Sequence, residues 1–360
     1  MTKTTRRIAA FVVALITSLV IVPFGVFAEG AVAEPITYVA KIGDNEYDTF
    51  NEAITAANAM TEERVTVEIY GVVEYAAQTP NLAGSYTTIN FVGKTEDAQI
   101  KIIRNGSSGY IKGNGNGVGP NVTFKDLALT KPSGSYSNDA GFMNVYFSVY
   151  RVKSVSYTNC VFPNGVCAAG CATTFMGCNF ANNASGKYSL WLYDDAQVTV
   201  VDSEFTGVRG VKMYEEIEET VTNTLSLVNT TFSESVAQKP AIVLTYGNEV
   251  ELEGNTYPSK GVFELDKDGA PNGTKVTADI KNIICTNDDY PDGCGVWVDG
   301  KIYTTVADAA EVAAEGSVVK LMCSPTGTVE FTSGVMFDRN GHNADYVTVE
   351  PNKIQLRINP

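Results

Sequence analysis

Short stretches in which apolar and polar residues alternate recur along this chain. Each carries a turn residue near its end, followed three places on by an aromatic side chain in all but the first, which has Leu129 there. They read VTFKDLAL at 122–129, VSYTNCVF at 155–162, TTFMGCNF at 173–180, VTVVDSEF at 198–205, LSLVNTTF at 225–232 and VELEGNTY at 250–257. A period of two marks β-strands with one buried face. With Phe124, Tyr157, Phe175, Val200, Leu227 and Leu252 taken as equivalent, the spacings are 33, 18, 25, 27 and 25 residues. Repeats of this size cannot bury an apolar face alone, so they stack on their neighbours. Each repeat is expected to supply two or three short strands, with identical positions lying above one another. Phe162, Phe180, Phe205, Phe232 and Tyr257 should then form an internal aromatic stack. Asn159, Gly177, Asp202, Asn229 and Gly254 occupy the place of a sharp bend with left-handed φ.

A second duplication frames the first. Residues 37–70 and 296–322 share one order: strand, glycine-containing turn, Tyr and Thr, Ala-rich amphipathic helix, strand. In the first copy Phe50, Ala53, Ile54 and Ala57 fall on one helical face. The second copy leads into FTSGVMFDRNGHNADYVTVE at 331–350. It either starts a short second module or closes the first.

At the N-terminus Lys3, Arg6 and Arg7 precede an apolar run to about Phe27, followed by VFA at 26–28 and AVA at 31–33. This is the pattern of a secretory signal with small residues at the cut, and residues 1–33 are read as removed. The expected product is secreted, free or held at the cell surface, without membrane insertion. The whole chain has 26 basic and 41 acidic residues; losing Lys3, Arg6, Arg7 and Glu29 leaves 23 and 40, a net charge of −17. Such a field disfavours nucleic acid and anionic membranes as partners.

The turns NCVF, GNTY and their relatives resemble those of the pectin-lyase-like, right-handed parallel β-helix superfamily, over about residues 85–285. The unit at 37–70 looks like the cap that opens β-helices in adhesin-like surface proteins of gut bacteria. The resemblance implies an all-β parallel β-helix (solenoid) with an N-terminal strand–helix cap and a C-terminal repeat of that cap. The implied division is a signal at 1–33, a cap at 34–84, the helix at 85–285 and the repeated cap with a partial coil at 286–360.

In enzymes of that superfamily, chemistry sits on the outer face of one sheet. The corresponding strands here are YSLWLYDD at 188–195, VRGVKMYEE at 208–216, AIVLTYGNE at 241–249 and GVFELDKD at 261–268. If Leu190 and Leu192 point in, Trp191 and Tyr193 point out; likewise Lys212 and Tyr214 are expected to be exposed. An aromatic column (Trp191, Tyr193, Tyr214, with Tyr246) then flanks acids at the following turn: Asp194, Asp195, Glu215, Glu216, Glu249, Asp266 and Asp268. Exposed rings can stack on sugars while carboxylates accept their hydroxyl protons. The plainer alternative is that Tyr and Trp are good strand residues and that charged turns keep a sheet soluble.

A lyase or hydrolase would draw on Asp194, Asp195 and Lys212, yet the Asn-Thr-Asp and Gly-His-Gly elements of polygalacturonases are missing. The sole histidine, His342, lies outside the repeats in a turn-like Gly-His-Asn. No cofactor is required, although Asp266, Asp268, Asp288 and Asp289 are weak candidates for Ca²⁺, since their loops depart from the EF-hand spacing. Seven cysteines in an exported chain invite disulfides. Candidate pairs are Cys160–Cys178, Cys167–Cys171 and Cys285–Cys294. The zinc spacing of tight hairpins is absent. The expectation is therefore a non-enzymatic, adhesin-like protein binding polysaccharides, host glycans or host proteins. A polysaccharide lyase or glycoside hydrolase with a divergent site, and a structural spacer, are the alternatives.

Overall fold

Each alternating segment is a strand, and the strands pair position for position as the repeats align. In the computed structural model, Phe91, Phe124, Tyr157, Phe175, Val200, Leu227 and Leu252 form one column, each opposite the next in parallel register. The structure describes residues 37–76, 79–103, 109–114, 119–131, 146–214, 222–234, 239–244, 248–265, 273–277, 285–286, 295–322, 324, 329–331, 334–343 and 347–349.

Among these residues three long sheets account for nearly all strands, with fifteen, eight and seven members. From Thr88–Gly93 to Ile242–Leu244 the chain visits the sheets in a fixed cycle. Asn121–Lys125 belongs to the largest, Ala128–Thr130 to the smallest and Phe147–Tyr150 to the third, before Ser154–Thr158 returns to the first. The described chain is thus all-β apart from two short helices, with long parallel sheets compatible with a β-helix-like fold.

Strands of two to six residues are too short to persist alone, so their stability comes from stacking. Two ring columns run inside. Phe91, Phe124, Tyr157 and Phe175 stack with centroids 5.2, 5.2 and 4.8 Å apart. Phe162, Phe180, Phe205, Phe232 and Tyr257 form the expected second column, at 5.3, 4.2, 4.4 and 5.8 Å. These distances track the ≈ 4.8 Å spacing between strands, which places rings at a favourable separation.

The bends also follow the sequence. Asp126, Asn159, Gly177, Asp202, Asn229 and Gly254 all have positive φ, between 48 and 66°. Gly254 is required twice over, since a Cβ there would lie 2.4 Å from Asn229 Oδ1. Cys160 and Cys178 take one place in successive repeats: the Asn179 amide donates to the Cys160 carbonyl, next to the Val161–Asn179 pair.

The duplicated unit is the same structure twice. In the first copy Ala40–Ile42 and Asn45–Tyr47 form a hairpin, helix α1 (Phe50–Ala59) follows, and Arg64–Ile69 pairs antiparallel with the hairpin. Thr49 and Glu52 close a reciprocal capping box at the start of α1, and Phe50, Ala53, Ile54 and Ala57 are its buried face. The second copy repeats this with Val296–Val298, Lys301–Tyr303, α2 (Val306–Val312) and Val318–Leu321.

Arg64–Ile69 already pairs in parallel with Thr88–Gly93, so parallel stacking starts inside the segment read as a cap. The second unit also does two things at once. Ile302 and Met322 lie in the main core, whereas Val296, Val298, Val319, Leu321, Phe331 and Phe337 build a separate one. Alternation explains this: neighbouring residues of one hairpin point to opposite faces.

Phe180 is fully buried between Phe162 and Phe205. Phe180→Ala is expected to cost about 3–5 kcal/mol, read as a lowered urea midpoint, with its effect centred on the middle repeats in hydrogen exchange.

Candidate functional site

The outer face of the eight-stranded sheet is built by the same alternation that fills the core. Val166, Ala168, Leu190, Leu192, Val211 and Met213 point inward into the main core, and the residues between them point out. Register then lines up Ser148, Cys167, Trp191, Lys212, Val243 and Glu264 in one outward row. Tyr193 lies opposite Ala169 in the next row, and the Tyr214 amide donates to the Leu192 carbonyl at 3.2 Å.

A second aromatic layer covers this face. Trp191 stacks on Tyr146 at 5.9 Å, meets Tyr188 edge-on at 5.6 Å and reaches Tyr214 at 5.7 Å. Tyr193 lies 6.0 Å from Tyr214, and Tyr110 meets Tyr150 edge-on at 5.7 Å. Polar groups edge the layer. Arg209 sits 5.1 Å over the Tyr188 ring and donates to its hydroxyl at 2.9 Å. Arg151 lies 5.9 Å over Tyr150, whose hydroxyl donates to Asp194 Oδ2 at 3.3 Å.

Two tyrosines of this layer, Tyr146 and Tyr150, are held neutral. Burial pushes Tyr146 up to about 12. Tyr150 is raised by burial, then by the charge of Asp194. Rings that stay uncharged can present both a hydroxyl and a flat face to a ligand. Tyr150, Tyr188, Tyr193 and Tyr214 are half-buried, so part of each ring remains accessible.

The outward direction of Trp191, Tyr193, Lys212 and Tyr214 follows the alternation, but exposure does not. Trp191 is only 9 % exposed and Lys212 only 7 %. Trp191 is walled in by Tyr146, Tyr188 and Tyr214, and Lys212 stands in its row between two buried neighbours, Trp191 and Val243. Tyr146, Tyr150, Tyr188 and Arg209 belong to the layer and were absent from the expected binding set. The outward parity of Tyr146, Ser148 and Tyr150 in YFSVY was the available signal.

Asp194 and Asp195 form the corner after Leu190–Tyr193, both with φ of 59°. Gly170 lies beneath: its own φ is +63°, and a Cβ there would come within 3.2 Å of both Asp194 Oδ2 and the Tyr150 ring. Lys212 is opposite Trp191, three residues before Asp194, and among the described residues no ion pair joins it to either aspartate. Glu249 is not at this edge; it opens Glu249–Glu253 of the largest sheet and pairs with Lys275 at 3.1 Å.

Glu215, Glu216 and Tyr246, together with Asp266, Asp268, Asp288 and Asp289, lie outside the described residues. No group of three or more His, Cys, Asp or Glu among the described residues could hold a metal ion. His342 sits in a turn, its amide bonded to the Arg339 carbonyl, with burial lowering its pKa. Away from the aromatic layer, a cavity of about 590 Å³ opens between residues 82–87, Asn114, Gly119–Asn121 and Lys153. The Asn58 side chain from α1 holds its wall, accepting from the Ala83 and Gly84 amides and the Tyr86 hydroxyl at 2.9, 3.0 and 2.9 Å.

The cysteine pairings expected from the sequence are not formed where they can be followed. Cys160, Cys167, Cys171 and Cys178 are free thiols. Cys167 belongs to the outer layer whereas Cys171 packs on the main core, so the sheet separates them. Cys160 is pushed well up by burial and by its hydrogen bond with Cys178. Cys294 and the Cys285 side chain lie outside the described residues. An alkylating reagent is expected to leave Cys160, Cys167 and Cys178 unmodified in the native protein and to label all three after unfolding, as peptide mass mapping would show.

Comparison with known proteins assigns no relative: no family model matches the chain, and neither a curated protein nor a solved structure matches it.

Proposed function

We propose that this chain is an exported right-handed parallel β-helix of the pectin-lyase-like type, opened by the 37–70 unit as a cap. In this reading it binds glycans through its outer aromatic layer and does not cleave them. The observation that carries this is the run of half-buried tyrosines around Trp191, edged by Arg209, Arg151 and Asp194.

The chemistry fits sugar recognition. Pyranose rings present C–H faces to aromatic planes and hydroxyls to charged groups at the rim. A layer already packed ring against ring loses little side-chain entropy when a ligand settles on it. Asp194 offers its second oxygen as an acceptor, and Arg209 offers donors beyond the one used by Tyr188. The basic-residue, apolar and AVA pattern of residues 1–33 supports export.

Retention of the full mature chain on immobilised neutral and acidic polysaccharides, with reducing-end and unsaturated-product assays on the same panel, tests this reading. Binding without new ends or unsaturated products is expected. Tyr188→Ala and Tyr214→Ala should each weaken binding roughly tenfold, about 1.4 kcal/mol, with unchanged circular dichroism. Failure to bind any member would remove the reading. New reducing ends that vanish in Asp195→Ala would replace it with an enzymatic one.

A further inference from the structure

The two copies of the hairpin–helix unit superpose residue by residue through their registers. Lys41 pairs with Glu46 and Glu68, as Trp297 pairs with Ile302 and Lys320. Tyr70 and Met322 follow as the next equivalent pair. In both copies one hairpin face packs on the core of the unit's own run: Ala40 and Ile42 in the first, Val296 and Val298 in the second.

The opposite faces differ in kind. In the second copy Trp297, Ile302 and Met322 pack against the main core, the latter two fully buried, and Lys320 lies 5.8 Å over the Trp297 ring. Lys301–Tyr303 pairs antiparallel with Thr274–Thr277, the last strand of the parallel run. The Val276 amide donates to the Gly300 carbonyl at 2.7 Å, and the Gly273 amide to the Ile302 carbonyl at 2.8 Å. The unit is thereby docked end-on to the run before it.

In the first copy three of the equivalent positions, Lys41, Glu46 and Glu68, carry charge and are open in part to solvent. Lys41 and Glu46 form an ion pair at 3.9 Å, with the Glu46 side chain 52 % exposed. Glu68 is held by Lys94 at 3.1 Å and by the Tyr70 hydroxyl at 2.9 Å. Asn45–Tyr47 is one end of the fifteen-stranded sheet, and Met336–Asp338, with Met336 41 % exposed, is the other. Among the described residues neither end strand has a partner on its outer side.

We infer that the hairpin–helix unit is an end-on docking device, and that the charged back of its first copy keeps one chain from stacking head-to-tail on the Met336–Asp338 edge of a second copy. A unit docked there as the second copy is docked within the chain would bury Glu46 where Ile302 is buried now. Desolvating the Lys41–Glu46 ion pair opposes that contact, whereas an apolar residue favours it. The contact is heterologous, so removing the block would produce open chains of protein, not closed dimers.

Transplanting the second copy's back face onto the first, with Lys41→Trp, Glu46→Ile and Tyr70→Met, tests this directly. Sedimentation should show a monomeric wild-type protein and a concentration-dependent series of oligomers for the variant. Hydrogen exchange should slow at least tenfold at Asn45–Tyr47 and Met336–Asp338 in the assembled form. A folded variant that stays monomeric would overturn the inference. So would aggregation without protection at those two strands, or a wild-type protein that already assembles through them. The reciprocal change Ile302→Glu requires no assembly. It should speed exchange at Gly273 and Val276 by tenfold or more while amides around Phe162–Phe232 stay protected. Unchanged exchange at Gly273 and Val276 would equally overturn the inference.

Discussion

Parallel strands about 4.8 Å apart, held in unbroken register, are the constraint on which the rest of this protein depends. Register converts a sequence repeat into a column, so that one position in each repeat meets the same position in the next. Tyr157 stacks on Phe175 and Phe180 on Phe205 because their strands are neighbours, and the rings lie at the spacing the backbone imposes. The bends obey the same rule. Asp126, Asn159, Gly177, Asp202, Asn229 and Gly254 take one left-handed conformation, and Asn159 and Asn229 lie beside the glycine of the repeat that follows. A slip of one residue would turn every inward ring outward. The inner columns therefore specify the register while they stabilise it.

The outer face of the eight-stranded sheet shows what happens when alternation delivers large rings to both sides. Leu190 and Leu192 fill the core, while Trp191 and Tyr193 join rings from neighbouring strands in a second apolar layer. That layer excludes water from Trp191, Cys167 and Lys212, and leaves tyrosine edges and charged rim groups as its working surface. Of the two aspartates at the corner, Asp194 has a place in the architecture. Asp194 takes up a tyrosine hydroxyl above a glycine whose missing side chain makes the approach feasible.

The hairpin–helix unit shows one local structure in two environments. Its inward face is the same in kind in both copies. Its back face is charged where it meets solvent and apolar where it rests on a preceding run. In stacked architectures the residues at the ends must satisfy water instead of a neighbour, and the contrast between Glu46 and Ile302 is that requirement at a single position.

Much of this was present in the chain itself. The period of the repeats, the equivalence of Phe124 with Leu252, the ring column from Phe162 to Tyr257, the left-handed bends and the buried face of α1 all follow from alternation and turn chemistry. These are local rules, and stacking preserves them. Tertiary structure decided what depends on neighbours remote in sequence. It buried Trp191 under rings from residues 146, 188 and 214 and Lys212 in its row between Trp191 and Val243, separated Cys167 from Cys171 across a sheet, and bound Asp194 to Tyr150. It began the parallel run at Arg64 and gave the second unit two cores. Alternation fixes the side to which a residue points; whether that side is open to solvent depends on which other strands and loops arrive there.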